Sequence, residues 1–119
     1  MRPHVELIHE KDLIFHPAEL MGGNGTAMQR NLSYDEEDGS VSAKIHFESD
    51  WTRPAGVHVA QTEWYVLEGE VQIGEEKLGP GGYWMTPAGV VAPALSVKQG
   101  TQVLYFREYG DCRFEATET

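Results

Sequence analysis

The sequence predicts an all-β domain, a sandwich or jelly roll of short strands, and three observations carry the prediction. Short runs rich in β-branched and aromatic residues recur along the chain, each bounded by glycine, proline or acidic turn residues. Val41, Ala43, Ile45 and Phe47 alternate with Ser42, Lys44, His46 and Glu48, the period of two that a half-buried strand requires. No capped apolar stripe of helical period appears, and no internal repeat.

Taken in order, Val5 to Ile8 and Leu13 to Phe15 read as two strands, or one strand interrupted by Glu10-Lys11-Asp12. Pro17 to Gly25 is a loop; its glycines have neither a lysine nor a helix after them, so it does not read as a phosphate cradle. Ala27 to Tyr34 is a strand, and the acidic turn Asp35 to Gly39 joins it to Val41–Phe47 as a hairpin. Trp51 to Gly56, with Pro54 inside it, is a loop. Trp64 to Leu67 is a compact strand closed by Glu68-Gly69, and Val71 with Ile73 continues as the next. Gly74 to Lys77 and Gly79 to Gly82 are turns around Leu78. Tyr83 to Thr86 is a strand that Pro87-Ala88-Gly89 turns into Val90 to Val97. Lys98-Gln99-Gly100 leads to Thr101–Tyr109, where Val103 and Tyr105 occupy one face and Leu104 and Phe106 the other. A strand apolar on both faces needs cover on its outer side, which points to a homodimer.

At 119 residues the chain is one domain: N-terminal strands and loop over 1–26, the barrel over 27–109 and a tail over 110–119. With 40% apolar and 24% charged residues it is not a disordered chain. A formal charge of -10 repels phosphate backbones, so no nucleic-acid partner is expected. Much of that charge lies in Asp35 to Asp38 and in the last residues, which read as solvated segments. Cys112 is alone, so no internal disulfide can form and a reducing compartment is implied. The N-terminal residues lack the apolar core of a secretory signal, and no run is long enough to span a bilayer. A cytoplasmic protein without a membrane partner is the expectation. The serines show no nucleophile-elbow spacing, so a serine hydrolase is not supported.

The stretch Gly56-Val57-His58-Val59-Ala60-Gln61-Thr62-Glu63-Trp64-Tyr65-Val66-Leu67-Glu68-Gly69-Glu70, followed by Gly81-Gly82-Tyr83-Trp84-Met85-Thr86-Pro87-Ala88-Gly89, resembles the two motifs of the cupin superfamily. His58 falls on the second histidine of the first motif and Glu63 on its glutamate, while Gly56 stands at the first histidine. Counted back from Gly69, Thr62 takes the glutamate position instead. Gly81, Pro87 and Gly89 match the second motif, but Ala92 stands at its histidine and Ser96 at its asparagine. The resemblance covers Val41 to Phe106. It lies near the single-domain acetylacetone-cleaving dioxygenases and the anti-sigma cupin domains. It implies a double-stranded β-helix, the cupin jelly-roll barrel, frequent dimers, and a metal such as Fe, Zn, Mn or Ni held by histidines and a glutamate.

Of those ligands only His58 and Glu63 map, so a third would have to come from His4, His9, His16, His46 or Gln61; an absent metal is the stronger expectation. Without a metal, His58 and Glu63 would form an acid–base pair suited to proton abstraction beside a carbonyl, or His58 would only hydrogen-bond in the interior. The aromatic set Trp51, Trp64, Tyr65, Tyr83 and Trp84 suits a largely apolar pocket, for which Trp51, Gln61, Tyr65, Tyr83 and Met85 are the expected lining. The sequence therefore predicts a small-molecule-binding cupin. It is either an enzyme (dioxygenase, isomerase or lyase) on a small carbonyl or carboxylic substrate through His58 and Glu63, or a non-catalytic sensor that has lost the metal site.

Overall fold

The alternation along Val41 to Phe47 organises the molecule. In the computed structural model, which describes residues 8–18, 20, 22–109 and 113–117, Val41, Ala43, Ile45 and Phe47 are all buried and the residues between them half-buried. A 3-10 turn spans Glu10–Asp12. The strands are β1 (His16–Pro17), β2 (Ala27–Tyr34), β3 (Val41–Phe47), β4 (Trp51–Arg53), β5 (Gly56–His58), β6 (Thr62–Glu68) and β7 (Val71–Ile73). After them come β8 (Glu76–Leu78), β9 (Tyr83–Thr86), β10 (Val91–Ala92), β11 (Leu95–Val97), β12 (Gln102–Arg107) and β13 (Phe114–Ala116). Among the described residues no helix is long and apolar enough to cross a membrane.

Among the described residues all pairings are antiparallel, in three sheets: β1-β2-β3-β12-β6-β9, β4-β11-β7-β8 and β10-β5-β13. The closed jelly-roll barrel expected from the sequence is thereby corrected. The sheets are antiparallel and arranged as the resemblance implies, but their ladders stop at edges and do not close into a barrel. One interruption has a clear chemical cause. Arg53 pairs with Leu95, and Gly56 with Ala92, in one unbroken register. The residues that would join these two ladders are Pro54 and Ala55 facing Pro93 and Ala94. A proline has no N–H to give a ladder, so the sheet parts there into two. The released carbonyls are used elsewhere: Ala55 accepts from the Thr117 N–H at 2.9 Å and Ala94 from the Gly74 N–H at 2.9 Å.

Other elements shift from expectation in small ways. Val5 to Leu7 lie outside the described residues, Ile8 is in no strand, and Leu13 to Phe15 form an irregular approach to β1. Trp51 to Arg53, read as loop, pair as β4, and the single strand expected over Val90–Val97 is two. Phe114–Ala116, in the stretch read as a tail, pair with β5.

The hydrophobic core lies between the sheets. Phe47, Trp51 and Trp64 have ring centroids 5.6–6.4 Å apart, and Trp64 stacks on Trp84 at 5.0 Å with Tyr105 edge-on at 5.5 Å. Burying one such ring removes ~150–250 Å² from water, worth roughly 4–6 kcal/mol before entropy is counted. Trp51, Trp64, Val66, Val97 and Val103 are at most 2% exposed. The opposite face of the large sheet is also apolar in places: Tyr65, Leu67, Tyr83 and Met85 are exposed, and Leu104 and Phe106 half-buried.

Candidate functional site

The polar part of the interior begins where β4 and β5 meet β13. Strand alternation turns Trp51 and Arg53 inward from β4, and Gly56 and His58 inward from β5. Arg53 is 4% exposed and His58 7%. The Phe114 ring lies between them: the Arg53 guanidinium carbon is 4.5 Å from its centroid and the His58 ring 5.1 Å. Trp51 lies 5.8 Å from the same guanidinium. Burial pushes the Arg53 guanidinium down to about 10, with Tyr105 opposing the shift, so the group stays cationic at neutral pH. Burial, reinforced by the Arg53 charge, pushes the His58 imidazole down to about 4 and leaves it neutral there.

From the facing sheet, β6 contributes Thr62, Trp64 and Val66, with the residues between them turned outward. Four interior atoms, Arg53 Nε, His58 Nε2, Thr62 Oγ1 and Trp64 Nε1, are buried with no hydrogen-bond partner. Buried polar groups are nearly always paired, since an unpaired one costs about 1–3 kcal/mol. A small polar site within the fold is the consequence. Every one of the four atoms can donate a hydrogen bond, His58 Nε2 in one of its tautomers.

Glu63 is not among these groups. It is half-buried on the outward side of β6, opposite Met85, and accepts a 2.6 Å hydrogen bond from the Tyr83 hydroxyl, whose own ionisation the carboxylate pushes upward. The ambiguity between Thr62 and Glu63 is resolved by the ladders to β12 and β9: Thr62 faces inward, 2% exposed. His58 and Glu63 are not brought together.

The domain of unknown function DUF4437 matches residues 6–119, almost the whole chain. The chain belongs to that family. No curated protein matches it in sequence. Among solved structures, this DUF4437 domain resembles a candidate dioxygenase from Nostoc punctiforme, at 19% identity and a TM-score of 0.79 over 94% of this chain and 41% of that one. It thus spans about two fifths of the Nostoc protein's length. An RmlC-like cupin from Shewanella frigidimarina aligns at 18% identity and a TM-score of 0.63, over 87% of this chain and 91% of the other. An acetylacetone dioxygenase from Acinetobacter johnsonii aligns at 12% identity and a TM-score of 0.63, over 88% and 73%. At these identities the likeness shows a cupin-like fold and nothing finer.

The residues of the DUF4437 domain do not fit the metal that the cupin resemblance implies. Among the described residues no group of three or more His, Cys, Asp or Glu side chains could hold an ion. Two positions where the resemblance implies histidine, Gly56 and Ala92, pair directly across the β5–β10 ladder. A Cβ on Gly56 would stand 2.3 Å from Phe114 Cζ and 2.5 Å from the Glu115 carbonyl oxygen. The C-terminal strand therefore takes the space an imidazole would need. The candidates for a third ligand are scattered. His9 is exposed, His16 lies half-buried on β1, and His46 is half-buried on the outward face of β3. Gln61 is half-buried, its carbonyl accepting from the Glu108 N–H at 3.2 Å. His4 and Cys112 lie outside the described residues.

Of the expected pocket lining, Trp51 is in the interior, while Tyr65, Tyr83 and Met85 stand exposed on the outward face. The residues that the sequence reading left out are Arg53, Trp64 as a polar donor, and Phe114. A count of two from Trp51 would have put Arg53 on its side of a strand. Nothing local in the sequence places Phe114 against it.

Proposed function

We propose that this DUF4437 domain binds a small polar organic molecule between its sheets, on the side of the interior formed by Arg53, His58, Thr62 and Trp64. The observation that carries the reading is the set of four buried atoms with no hydrogen-bond partner. Each such group calls for a partner, and a ligand that accepts these four hydrogen bonds would supply it. The aromatic neighbours Trp51, Trp64 and Phe114 would cover an apolar body, and the donors would fix its orientation.

An enzymatic role for the same site would run through His58. Its imidazole is neutral at pH 7, so one ring nitrogen can take a proton from a carbon next to a carbonyl, while Arg53 and the Trp64 indole offer donors to the developing enolate oxygen. Glu63 would take no part in this step. If no turnover accompanies binding, the domain is a sensor or carrier.

The test is the Trp64 indole N–H resonance in ¹⁵N-labelled protein, assigned with a Trp64→Phe variant. A panel of small diketones, keto acids, carboxylic acids and their amides is titrated. A saturable shift with at least one class is expected. A folded protein whose indole resonance ignores the whole panel would end the reading.

A further inference from the structure

We infer that the ligand of this interior site carries a carboxylate, and that the buried guanidinium of Arg53 is the group that receives it. The inference rests on the interior binding site proposed above and names the chemistry of its ligand.

A buried cation needs a counter-charge, because withdrawing an ion from water costs several kcal/mol that only a partner returns. The chain has 19 acidic residues against 9 Lys and Arg, so carboxylates are abundant. Yet among the described residues no acidic side chain forms an ion pair with Arg53, and none contributes to its ionisation. The neighbours it does have are the Phe114 and Trp51 rings, Tyr105 and the uncharged imidazole of His58. Among the described residues, an anion is what this side of the interior lacks.

The aromatic neighbours narrow the kind of anion. A guanidinium lying over a ring turns its face to the π-system and keeps its N–H bonds in its own plane, directed away from the ring. Those edge donors match the two oxygens of a carboxylate in a parallel, bidentate pair. The Arg53 guanidinium balances one negative charge, and the other buried guanidinium, Arg107, is already engaged by the Gly39 and Tyr109 carbonyls. A phosphate monoester, with a charge of about -1.5 to -2 at neutral pH, would leave charge uncompensated in the interior. His58 Nε2, Thr62 Oγ1 and Trp64 Nε1 can then donate to the rest of a small polar ligand.

The experiment compares acids with their neutral isosteres in the full chain. Benzoate and hexanoate, benzamide and hexanamide, and inorganic phosphate are titrated separately at constant ionic strength, read by the Trp64 indole resonance and by calorimetry. The carboxylates are expected to bind at least about tenfold more tightly than the amides, the loss that follows from removing one charge-assisted pair. Arg53→Met should abolish that preference, and Arg53→Lys should keep part of it. Amides that bind as tightly as the acids, a preference that survives in Arg53→Met, or phosphate binding more tightly than both carboxylates would each overturn the assignment to Arg53 while leaving an interior binding site in place. If no probe of either class moves the indole resonance, the carboxylate assignment and the binding reading fall together.

Discussion

Two buried arginines reach the interior, Arg53 from β4 and Arg107 from β12 opposite Thr62, and the contrast in what holds them separates structure from function. Arg107, at the end of β12, is 2% exposed, but its Nε donates to the Tyr109 carbonyl and its Nη2 to the Gly39 carbonyl at 3.3 Å. It ties the β2–β3 turn to the chain leaving β12, and these charge-assisted bonds to backbone carbonyls offset much of its burial. Arg53, at the end of β4, is buried nearly as deeply among aromatic rings, with no such acceptor at its Nε. A cation held by main-chain carbonyls is part of the scaffold. One held only by π-faces is a docking point still missing its anion.

The largest effect should come from removing the scaffold arginine. Arg107→Met leaves the Gly39 and Tyr109 carbonyls without their charged donor and should lower unfolding stability by roughly 2–3 kcal/mol. Urea denaturation checks this, and an unchanged midpoint would erase the distinction between the two arginines. Next in size is an acid effect at the Arg53 end. His58 is held below its ordinary value of 6.5, at about 4, so between these values the unfolded chain binds a proton that the folded one refuses. The His58 contribution is therefore complete above about pH 6.5 and declines as pH falls toward 4, by roughly 1–3 kcal/mol in all. Comparing the stability–pH curves of the wild type and His58→Gln isolates this contribution from the titrating carboxylates. Curves that stay parallel between pH 4 and 6.5 would show that His58 is not desolvated. The smallest effect, and of opposite sign to the first, is expected for Arg53→Met. Replacing an unpaired buried cation by an apolar side chain of similar volume should raise the stability of the ligand-free protein by about 1 kcal/mol. A loss as large as that of Arg107→Met in the same urea assay would mean that Arg53 is scaffold too.

The same contrast shows how much the sequence carried. The β2–β3 hairpin and the inward set Val41, Ala43, Ile45 and Phe47 were readable because apolar and polar residues alternate there without exception. Strand β6 gave no such contrast. Trp64 and Val66 on one face and Tyr65 and Leu67 on the other are equally apolar, so the period of two could not say which face was inside. The ladders to β12 and β9 decided it, and with it the separation of Glu63 from His58. Closure into a barrel was likewise beyond local reading. Pro54 and Pro93 are visible as turn signals, but only the shared register of β4–β11 and β5–β10 brings them to the same gap.

By itself, then, the sequence determined an all-β chain of short antiparallel strands, the places of most turns, and one strand's buried face. Those features follow from side-chain periodicity and from glycine and proline, which act within a few residues. Only the tertiary structure decided the site. Arg53 is a lone charge before a proline and Phe114 a ring far along the chain, and neither carries a signal of the other. What makes Arg53 a buried, unpaired cation is the pairing of β13 with β5, a contact across more than fifty residues. Burial and unmet hydrogen bonds are properties of such long-range contacts, and the chemistry of this interior rests on both.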